Sequence, residues 1–350
     1  MTLKDIREDI DRIDARILAL LTERMERALL TRRLKEKVED PGREAAVLGR
    51  VRRASRGVLG AEFSEDLYRR VLGEARALQA RDPKTVGFHG EHGAYSEMAA
   101  WHWNAGTVGI PCREFSEIFD GVEGGLFDFG VVPVENSLGG LVGPVNEMLT
   151  ETDLHVVGAV DMPVSHCLLA LHGSDHREIR SVYSHPQALA QCRRFLARNH
   201  LDPVSFYDTA GAAKMIAQER AKGAAAVASR LAAGIYDLEV IKEDVQDAAS
   251  NRTRFLVLAR EAGEGPGNKC SAVFSTEDKA GALFRTLEIF ARADINLTRI
   301  ESVPKGPGDY AIFVDFEGAE REDRVKSAIE EAAAATREFR LLGCYEERKV

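Results

Sequence analysis

The sequence lacks long hydrophobic runs, and no stretch approaches the ~20 apolar residues that a helix needs to cross a membrane. Cysteine is also scarce, because the five cysteines are scattered and never form a Cys-x-x-Cys pair. We therefore expect reduced core thiols that take part in neither disulfide bonds nor metal sites. These cysteines are Cys112, Cys167, Cys192, Cys270 and Cys344.

The chain also has no excess of positive charge. Its net charge of -9 argues against a nucleic-acid-binding protein, because phosphate binding requires clustered cationic side chains. An export signal is missing too, since Met1–Asp5 lead directly into charged sequence without an apolar core. We accordingly expect a cytoplasmic protein that associates with neither nucleic acid nor membrane. Lysine and arginine are nevertheless concentrated in residues 1–81, as anion-binding side chains would require.

The overall composition and length are those of a globular, multidomain protein. Hydrophobic residues make up 45% and charged residues 29%, and 350 residues are enough for two or three domains. Proline and glycine mark two predicted linkers, at residues 81–84 and 261–268. These linkers separate three predicted domains, which comprise residues 1–81, 84–260 and 269–350.

The first domain is predicted to be all-α. Its apolar residues recur at steps of three and four along one helical face, and strand-like alternation is absent. Pro41 and Gly42 are expected to break the long first helix, and a second helix is expected from Arg43. A third helix is predicted from Ser64, acting as its N-cap, to Gln79. The apolar stripe comprises Leu3, Ile6, Ile10, Ile13, Ile17 and Leu20.

The other two domains contain strands. The second alternates short apolar runs with helical stretches, which predicts an α/β fold built on a largely parallel sheet. The third has the order strand, helix, strand, strand, helix, strand, which is typical of a ferredoxin-like α+β domain. The apolar runs of the second domain are residues 85–88, 130–134, 167–171, 180–184, 224–228 and 254–259.

Arg24 is the first candidate site residue. It lies on the apolar stripe, four residues after Leu20, where the pattern calls for a hydrophobic side chain. A lone arginine in such a position is commonly a snorkelling side chain or one half of an internal ion pair. Lys35 follows eleven residues later, about 16 Å along a continuous helix, so the two cations could instead hold a small dianion between them.

These residues belong to a larger pattern, because residues 3–80 resemble the all-helical chorismate mutase domain. The resemblance implies a pericyclic conversion of chorismate to prephenate that needs no cofactor, only fixed geometry and stabilised charge. It implies that Arg7 and Arg24 bind substrate carboxylates. It gives Lys35 and Gln79 the role of donors to the breaking ether bond. Ala75 stands where the family often has serine. The matching positions are Arg7, Arg24, Lys35, Asp40, Arg43, Glu44 and Gln79, of which Glu44 and Asp40 would hold the ring hydroxyl and Arg43 would also bind substrate.

Helix geometry adds a prediction about assembly. Arg7 and Arg24 are seventeen residues apart, about 25 Å along one helix, so one chain cannot bring both to one small molecule. If both are used, the site is shared between chains and the apolar stripes pack together. We therefore expect a homodimer or a homotetramer.

In the second domain, polar residues follow predicted strands. Residues 87–93 form a glycine-rich turn, but its spacing differs from the dinucleotide-binding fingerprint, so we expect no nicotinamide cofactor. Residues 131–140 run from a buried strand through Glu135-Asn136-Ser137 into a glycine-ended turn. In Ser184-His185-Pro186-Gln187, a strand is followed by a serine or histidine cap with proline at the first helical position. Each segment alone is more commonly a turn or a helix cap than a site.

Together these segments resemble prephenate dehydratase across residues 84–260. The resemblance rests on residues 93–97, 135–137, 184–187 and the Thr253-Arg254-Phe255 signature, in the order of the family. It implies two α/β lobes around a crevice, with the last strand crossing back to the first lobe. Loss of carbon dioxide and hydroxide makes the prephenate ring aromatic, so one proton donor suffices, and the resemblance gives that role to Thr253. The substrate-binding positions are Asn136, Ser137, Ser184, Gln191 and Arg254, although Arg254 points away from Thr253 along the strand and could be structural.

Residues 269–350 resemble an ACT regulatory domain, which in this enzyme family binds phenylalanine at domain interfaces. The signature Glu-Ser-Arg-Pro of the family reads Glu301-Ser302-Val303-Pro304 in this chain. We therefore predict feedback inhibition by phenylalanine. The predicted effector-binding residues are Gly281, Ala282, Leu283, Asn296, Glu301 and Ser302.

Two other functions would fit parts of the predicted architecture. A two-lobed small-molecule binding protein with a sensor domain would share the architecture, but it would not need Thr253. A regulatory or scaffolding oligomer with a coiled-coil dimeriser would not place Arg24 in its apolar stripe. Turnover of prephenate distinguishes the enzyme from both.

Overall fold

The computed structural model of this protein describes residues 2–263, 265, 267–306 and 309–350. The chain divides into two compact units, Met1–Thr85 and Val86–Val350. The predicted linker at 261–268 includes Glu264 and Pro266, which lie outside the described residues. No helix in the described part of the chain combines the length and the apolar character that a membrane span requires.

The first unit is all-α, as predicted, and consists of α1 (Leu3–Arg33), α2 (Pro41–Ala54) and α3 (Ala61–Arg81). The helix break differs from the prediction, because α1 already ends at Arg33 and Pro41 begins α2. Asp40 caps α2 by accepting a hydrogen bond from the Arg43 backbone N–H at 2.9 Å. Predicting Ser64 as the N-cap of α3 was wrong. Gly60 is the N-cap, and the Ser64 hydroxyl lies within the helix, where it donates back to the Gly60 carbonyl.

The core of the first unit lies at the C-terminal half of α1, where Leu29 and Leu30 are buried with Val47, Val71 and Ala75. The apolar stripe of the N-terminal half is not covered. Its exposed fractions run from 43% to 65%, far above those of core residues. The stripe consists of Leu3, Ile6, Ile10, Ile13, Ile17 and Leu20.

The second unit begins with two lobes, which we define by their sheets. The first-lobe strands are β1 (Thr85–His89), β2 (Val108–Cys112), β3 (Phe129–Asn136), β4 (Gly140–Leu141), β5 (His155–Pro163), β11 (Arg252–Ala259) and β16 (Glu347–Lys349). The second-lobe strands are β6 (Cys167–Ala170), β7 (Ser181–Ser184), β8 (Asp202–Ser205), β9 (Ala224–Ala228) and β10 (Glu239–Lys242). The first sheet has the strand order β16-β5-β11-β3-β1-β2, with β4 beside β3, and the second has the order β10-β6-β9-β7-β8.

Helices connect and cover these strands. They are α4 (Tyr95–Trp103), α5 (Phe115–Glu123), α6 (Gly143–Glu151), α7 (Pro186–Gln191), α8 (Arg193–Arg198), α9 (Thr209–Glu219) and α10 (Arg230–Ile235). His185 caps α7 with its side chain, ahead of Pro186 at the first helical position. Of the two predicted caps, serine or histidine, the structure therefore has the histidine.

The two-lobed α/β prediction is confirmed, but the expected largely parallel sheet is not. Strand β11 runs antiparallel to both β3 and β5, and β6 runs antiparallel to β9 and β10. Parallel pairing holds for β1 with β3 and for β7 with β8 and β9. The error arose because an apolar run indicates a buried strand but not its direction, and β11 returns from the second lobe.

The third sheet has the predicted ferredoxin-like order. Its strands are β12 (Lys269–Ser275), β13 (Leu297–Gly306), β14 (Asp309–Glu317) and β15 (Glu338–Tyr345), with α11 (Ala282–Arg292) and α12 (Asp323–Ala335) between them. The sheet order is β13-β14-β12-β15, with antiparallel pairing throughout. The predicted third domain extended to residue 350, yet β16 leaves this sheet and pairs with β5 of the first lobe.

The cysteine prediction requires a correction. Cys270 and Cys344 form a disulfide, whereas Cys112, Cys167 and Cys192 are free and buried as expected. The two bonded residues face each other directly on β12 and β15, with Cα atoms 4.0 Å apart. The two cysteines are 74 residues apart in the sequence, so their spacing alone did not predict this cross-strand pair.

Candidate functional site

The first candidate site lies in the helical unit and centres on Arg24. Its Nη1 atom is buried and has no hydrogen-bond partner among the described residues. A buried guanidinium N–H without an acceptor is costly, so native structures rarely leave one unless another group will fill the place. This observation favours a ligand-binding role for Arg24 over the snorkelling and internal ion-pair alternatives.

Gln79 and Lys35 contribute from other elements. Gln79 is 5% exposed on α3, and its Nε2 donates to the Ala28 carbonyl at 2.5 Å and to Thr31 Oγ1 at 2.9 Å. Lys35 lies beyond the end of α1, where its Nζ donates to the Val38 carbonyl at 2.7 Å. The 16 Å helical spacing from Arg24 therefore does not apply, because the chain between them is not one helix.

The remaining predicted residues of this unit lie at helix starts. Glu44 on α2 forms an ion pair of 3.0 Å with Arg76 of α3, a residue that the sequence analysis missed. Asp40 serves as a helix cap, and Arg43 is exposed. Arg7 is exposed near the start of α1, so a single chain leaves it about 25 Å along the helix from Arg24.

The second candidate site lies where β3 and β11 pair, with Asn136 opposite Thr253 in the register. The orientation of the Asn136 amide follows from its backbone neighbours. Its Oδ1 accepts hydrogen bonds from the N–H groups of Leu138 at 3.1 Å and Gly139 at 2.7 Å. Because backbone N–H groups can only donate, the Asn136 Nδ2 faces the other way and donates to Thr253 Oγ1 at 2.9 Å.

This contact determines what the Thr253 hydroxyl can do. Its oxygen accepts from Asn136, so its own proton remains to be donated to another group. An accepted hydrogen bond also polarises the hydroxyl and makes it a better donor. Thr253 is 9% exposed, which places the group in a largely desolvated position at the end of its strand. The contact therefore leaves the Thr253 hydroxyl proton available for donation.

A chain of hydrogen bonds extends from Asn136 into the connections between the lobes. Asn136 Nδ2 also donates to Asn251 Oδ1 at 2.8 Å, and Asn251 Nδ2 donates to Gln191 Oε1 at 3.0 Å. Gln191 Nε2 returns a hydrogen bond to Asn136 Oδ1 at 3.2 Å. Gln191 comes from α7 of the second lobe, so this ring of three amides joins both lobes at the site.

His166 completes the network on the side of the second lobe. Its Nε2 lies 2.9 Å from Gln191 Oε1, which is an acceptor, so Nε2 carries the proton. Its Nδ1 lies 2.8 Å from the Tyr95 hydroxyl. Burial lowers the pKa of His166 below the usual imidazole value, although the Gln191 hydrogen bond opposes this shift. The imidazole is thus a neutral support for Gln191.

Three predicted substrate contacts lie outside this network. Ser184 is fully buried, and its hydroxyl donates to the Val227 carbonyl at 2.5 Å. Ser137 is exposed and bridges to the opposite connection, donating to the Ser250 carbonyl at 2.9 Å. The Arg254 guanidinium points away from Thr253 and pairs with Glu347 at 2.6 Å. These contacts support the alternative prediction, in which Arg254 has a structural role.

Sequence reasoning missed three members of the network, namely Asn251, His166 and Tyr95. Asn251 and His166 are 1% and 2% exposed, and each lies in a segment that connects the two lobes. Tyr95 lies within residues 93–97, and Asn251 lies two residues before the Thr253-Arg254-Phe255 signature, so proximity to those motifs was the available signal. His166 had no such signal.

The third sheet carries a cavity at the start of α11. It has a volume of about 440 Å³, and the predicted residues Gly281, Ala282 and Leu283 line it together with Tyr310 and Ile312. Gly281 adopts a φ of +79°, a left-handed conformation that favours glycine. The other three predicted effector residues, Asn296, Glu301 and Ser302, are absent from its described lining.

Within the described residues, the chain is a multidomain protein whose helical unit has a buried Arg24 nitrogen without a partner and whose two-lobed unit has a hydrogen-bonded Asn136–Thr253 pair between two strands. Family models match three consecutive segments of the chain. They are chorismate mutase type II over residues 6–80, prephenate dehydratase over residues 86–263 and the ACT domain over residues 271–334.

Full-length similarity agrees with this order. The bifunctional chorismate mutase/prephenate dehydratase of Aquifex aeolicus is 35% identical, with 98% of this chain and 97% of that protein covered. Arogenate dehydratase/prephenate dehydratase 2 of Arabidopsis thaliana is 43% identical, with 74% of this chain and 72% of that protein covered. This chain belongs to the bifunctional chorismate mutase/prephenate dehydratase family, which confirms the resemblances drawn from its motifs.

A solved structure supports the fold of the second unit. The prephenate dehydratase of Arthrobacter aurescens in complex with L-Phe matches with a TM-score of 0.69 at 29% identity. The match covers 75% of this chain and 89% of that one.

Proposed function

We propose that the helical unit converts chorismate to prephenate and that the two-lobed unit converts prephenate to phenylpyruvate, without a cofactor in either step. Family membership supports both activities. The observation that carries the proposal is the Asn136–Thr253 hydrogen bond, because it leaves one polarised proton donor at the lobe junction. Together the two activities form a route to phenylalanine.

For the dehydratase step, the Thr253 hydroxyl donates to the ring hydroxyl of prephenate. The bond from the ring to its carboxylate breaks, carbon dioxide leaves, and the electron pair enters the ring as the carbon–oxygen bond breaks. The departing hydroxide takes the Thr253 proton and leaves as water, and the Thr253 oxygen regains a proton from solvent. Aromatisation drives the reaction. Thr253 supplies general-acid assistance, while Asn136 and Gln191 fix its orientation.

For the mutase step, the protein has only to hold a compact conformer of chorismate and stabilise charge. Arg24 has a free buried N–H group for a carboxylate. Lys35 and Gln79 donate to the ether oxygen as its bond breaks. In this structure both still donate to protein oxygens, so substrate would take over those donors.

A second copy of the chain covers the exposed apolar stripe of α1 and supplies Arg7. The 43% to 65% exposure of six large apolar side chains on one helical face supports this assembly. Arg7 and Arg24 both lie in α1, so only a partner chain can bring an Arg7 to Arg24. The dimer is the minimal active unit of the mutase, and a tetramer is compatible with it.

Phenylalanine regulates the enzyme from the third sheet. The cavity beside Gly281, Ala282 and Leu283 supports this assignment, as does the relative that was solved in complex with L-Phe. The start of α11 has no side-chain cap and suits the effector carboxylate. Val303 replaces the arginine of the family and is 6% exposed, so this position offers no cationic group.

One assay tests the proposal as a whole. Purified protein is incubated with chorismate, and prephenate and phenylpyruvate are followed over time with and without phenylalanine. We expect transient prephenate, then phenylpyruvate, and a slower second step when phenylalanine is present. A two-lobed binding protein would bind a small molecule without turnover, so the absence of both products would overturn the assignment.

A further inference from the structure

The residue after Thr253 connects the dehydratase site to the third sheet. The Arg254 side chain is 11% exposed, and it forms ion pairs with Asp315 of β14 and, at 2.6 Å, with Glu347. Its Nη2 also donates to the Tyr345 hydroxyl at 2.8 Å. Thr253 and Arg254 thus point to opposite sides of β11, one toward the site and one toward the regulatory sheet.

Asp315 is the centre of this junction. Its side chain is 1% exposed and lies between Arg254 and Arg299, whose Nη1 is 3.7 Å from the carboxylate. Ser271 donates a further hydrogen bond to it from β12. Burial alone would raise the pKa of Asp315, but the two arginines outweigh that effect and lower the pKa, so the carboxylate is ionised.

Arg299 connects Asp315 to β3, the other strand of the site. Its Nη2 donates to Asn146 Oδ1 on α6, and Asn146 Nδ2 donates to the Val134 carbonyl at 3.0 Å. The register between β3 and β11 shifts at Val134. Arg254 pairs with Glu135, and the next residue of β11 pairs with Pro133, so Val134 has no direct partner on β11. The irregularity lies two residues before Asn136, so Asn146 stabilises the strand where its register shifts.

We infer that Asp315 is a positioning residue for the dehydratase reaction: through its two arginine partners it holds Thr253 and Asn136 in hydrogen-bonding register. One arginine fixes β11 directly behind Thr253. The other fixes the irregular part of β3 behind Asn136 by way of Asn146. The third sheet is thereby a structural part of the dehydratase site as well as its regulatory domain, an inference that rests on the proposed dehydratase activity.

A proton donor must be positioned accurately relative to the group that it protonates. A displacement of about 1 Å at a reacting group can reduce turnover on the order of a hundredfold. Removing the Asp315 charge leaves two arginines buried without their shared partner, so both strands should shift toward other acceptors. Substrate binding depends less on this register than turnover does, so kcat should fall more than KM rises.

The test uses Asp315→Asn in the full chain, alone and combined with Thr253→Ala, with prephenate as substrate. We expect the single variant to lower the dehydratase kcat on the order of tenfold to a hundredfold, with unchanged mutase turnover. In the Thr253→Ala background the same change should have little further effect, because the group that it positions is gone. Asp315→Glu should restore part of the loss.

Glu317→Gln is the matched control, because it removes an exposed carboxylate two residues along the same strand. It should leave the dehydratase kcat unchanged. If Asp315→Asn does not fold, as circular dichroism melting will reveal, Asn146→Ala tests the second branch with the same expected non-additivity. A wild-type kcat in the folded variant, or an equal loss in both backgrounds, overturns the inference. Failure of the wild-type chain to turn over prephenate would instead overturn the proposed function.

Discussion

The side-chain amide of Asn136 donates to the hydroxyl oxygen of Thr253 at 2.9 Å, across 117 residues of sequence. The two residues are direct partners in the antiparallel pairing of β3 and β11. Because two backbone N–H groups fix the amide orientation, the threonine proton is left available for donation. The proposed dehydratase chemistry therefore depends on one cross-strand contact.

Thr253→Ala should abolish most dehydratase turnover while leaving the mutase intact. Loss of a general acid typically costs about 100- to 10,000-fold in rate, so prephenate should accumulate from chorismate. Product analysis by liquid chromatography measures both steps in one reaction. Thr253→Ser is the matched control, because it keeps the hydroxyl, and it should retain much more activity. Equal loss in both variants would mean that the hydroxyl is not the active group.

Arg24→Ala should have the opposite selectivity. Removing one preorganised charge donor costs about 3 kcal/mol of transition-state stabilisation, or roughly a hundredfold in mutase turnover. Dehydratase activity on supplied prephenate should survive, because Arg24 belongs to the other compact unit. Arg50→Ala is the control, since Arg50 is exposed on α2 and is not among the predicted site residues. Parallel loss of both activities in folded Arg24→Ala protein would contradict separate sites.

Leu283→Trp should remove inhibition by phenylalanine. Leu283 lines the 440 Å³ cavity beside α11, and an indole there would occupy the space that an aromatic amino acid needs. We expect a normal dehydratase rate without effector and a flat response when phenylalanine is titrated. Lys326→Trp places the same ring at an exposed position on α12 and should leave the inhibition curve unchanged. Undiminished inhibition in Leu283→Trp would place the effector site elsewhere.

Most of the fold could be predicted from local pattern. The helical stripe, the buried strand runs and the ferredoxin-like order each depend on residues close in sequence, and all three appear in the structure. The local errors concern helix ends, namely the end of α1 at Arg33 and the N-cap of α3. The larger failures concern long-range pairing. The direction of β11, the return of β16 to the first lobe and the Cys270–Cys344 disulfide are each decided by partners far along the chain. Periodicity carries no information about such partners.

The same distinction applies to the sites. Thr253 and Asn136 came from motifs and Gln191 from the family resemblance, and the structure brings all three into one hydrogen-bonded network. Ser184 came from a motif as well, but its hydroxyl is used by a buried carbonyl of the second lobe. His166 lies in a connection between lobes with no motif around it, so only the folded arrangement identifies its role as a support for Gln191.

Mixing two inactive variants should restore mutase activity. Helix α1 contains both Arg7 and Arg24 and therefore separates them by about 25 Å within one chain. If each site takes Arg24 from one chain and Arg7 from the other, Arg7→Ala and Arg24→Ala homodimers are both inactive. A mixed dimer contains one site with both substitutions and one site with neither.

The experiment mixes the two purified variants in equal amounts under mild denaturant and removes it to permit subunit exchange. Random pairing makes half of the dimers mixed, each with one of two sites intact, so about a quarter of wild-type mutase activity should return. Native mass spectrometry of differently tagged chains verifies that exchange took place. Each variant treated alone is the control and should remain inactive. Full exchange without recovered activity would show that Arg7 acts within its own chain or has no part in the reaction.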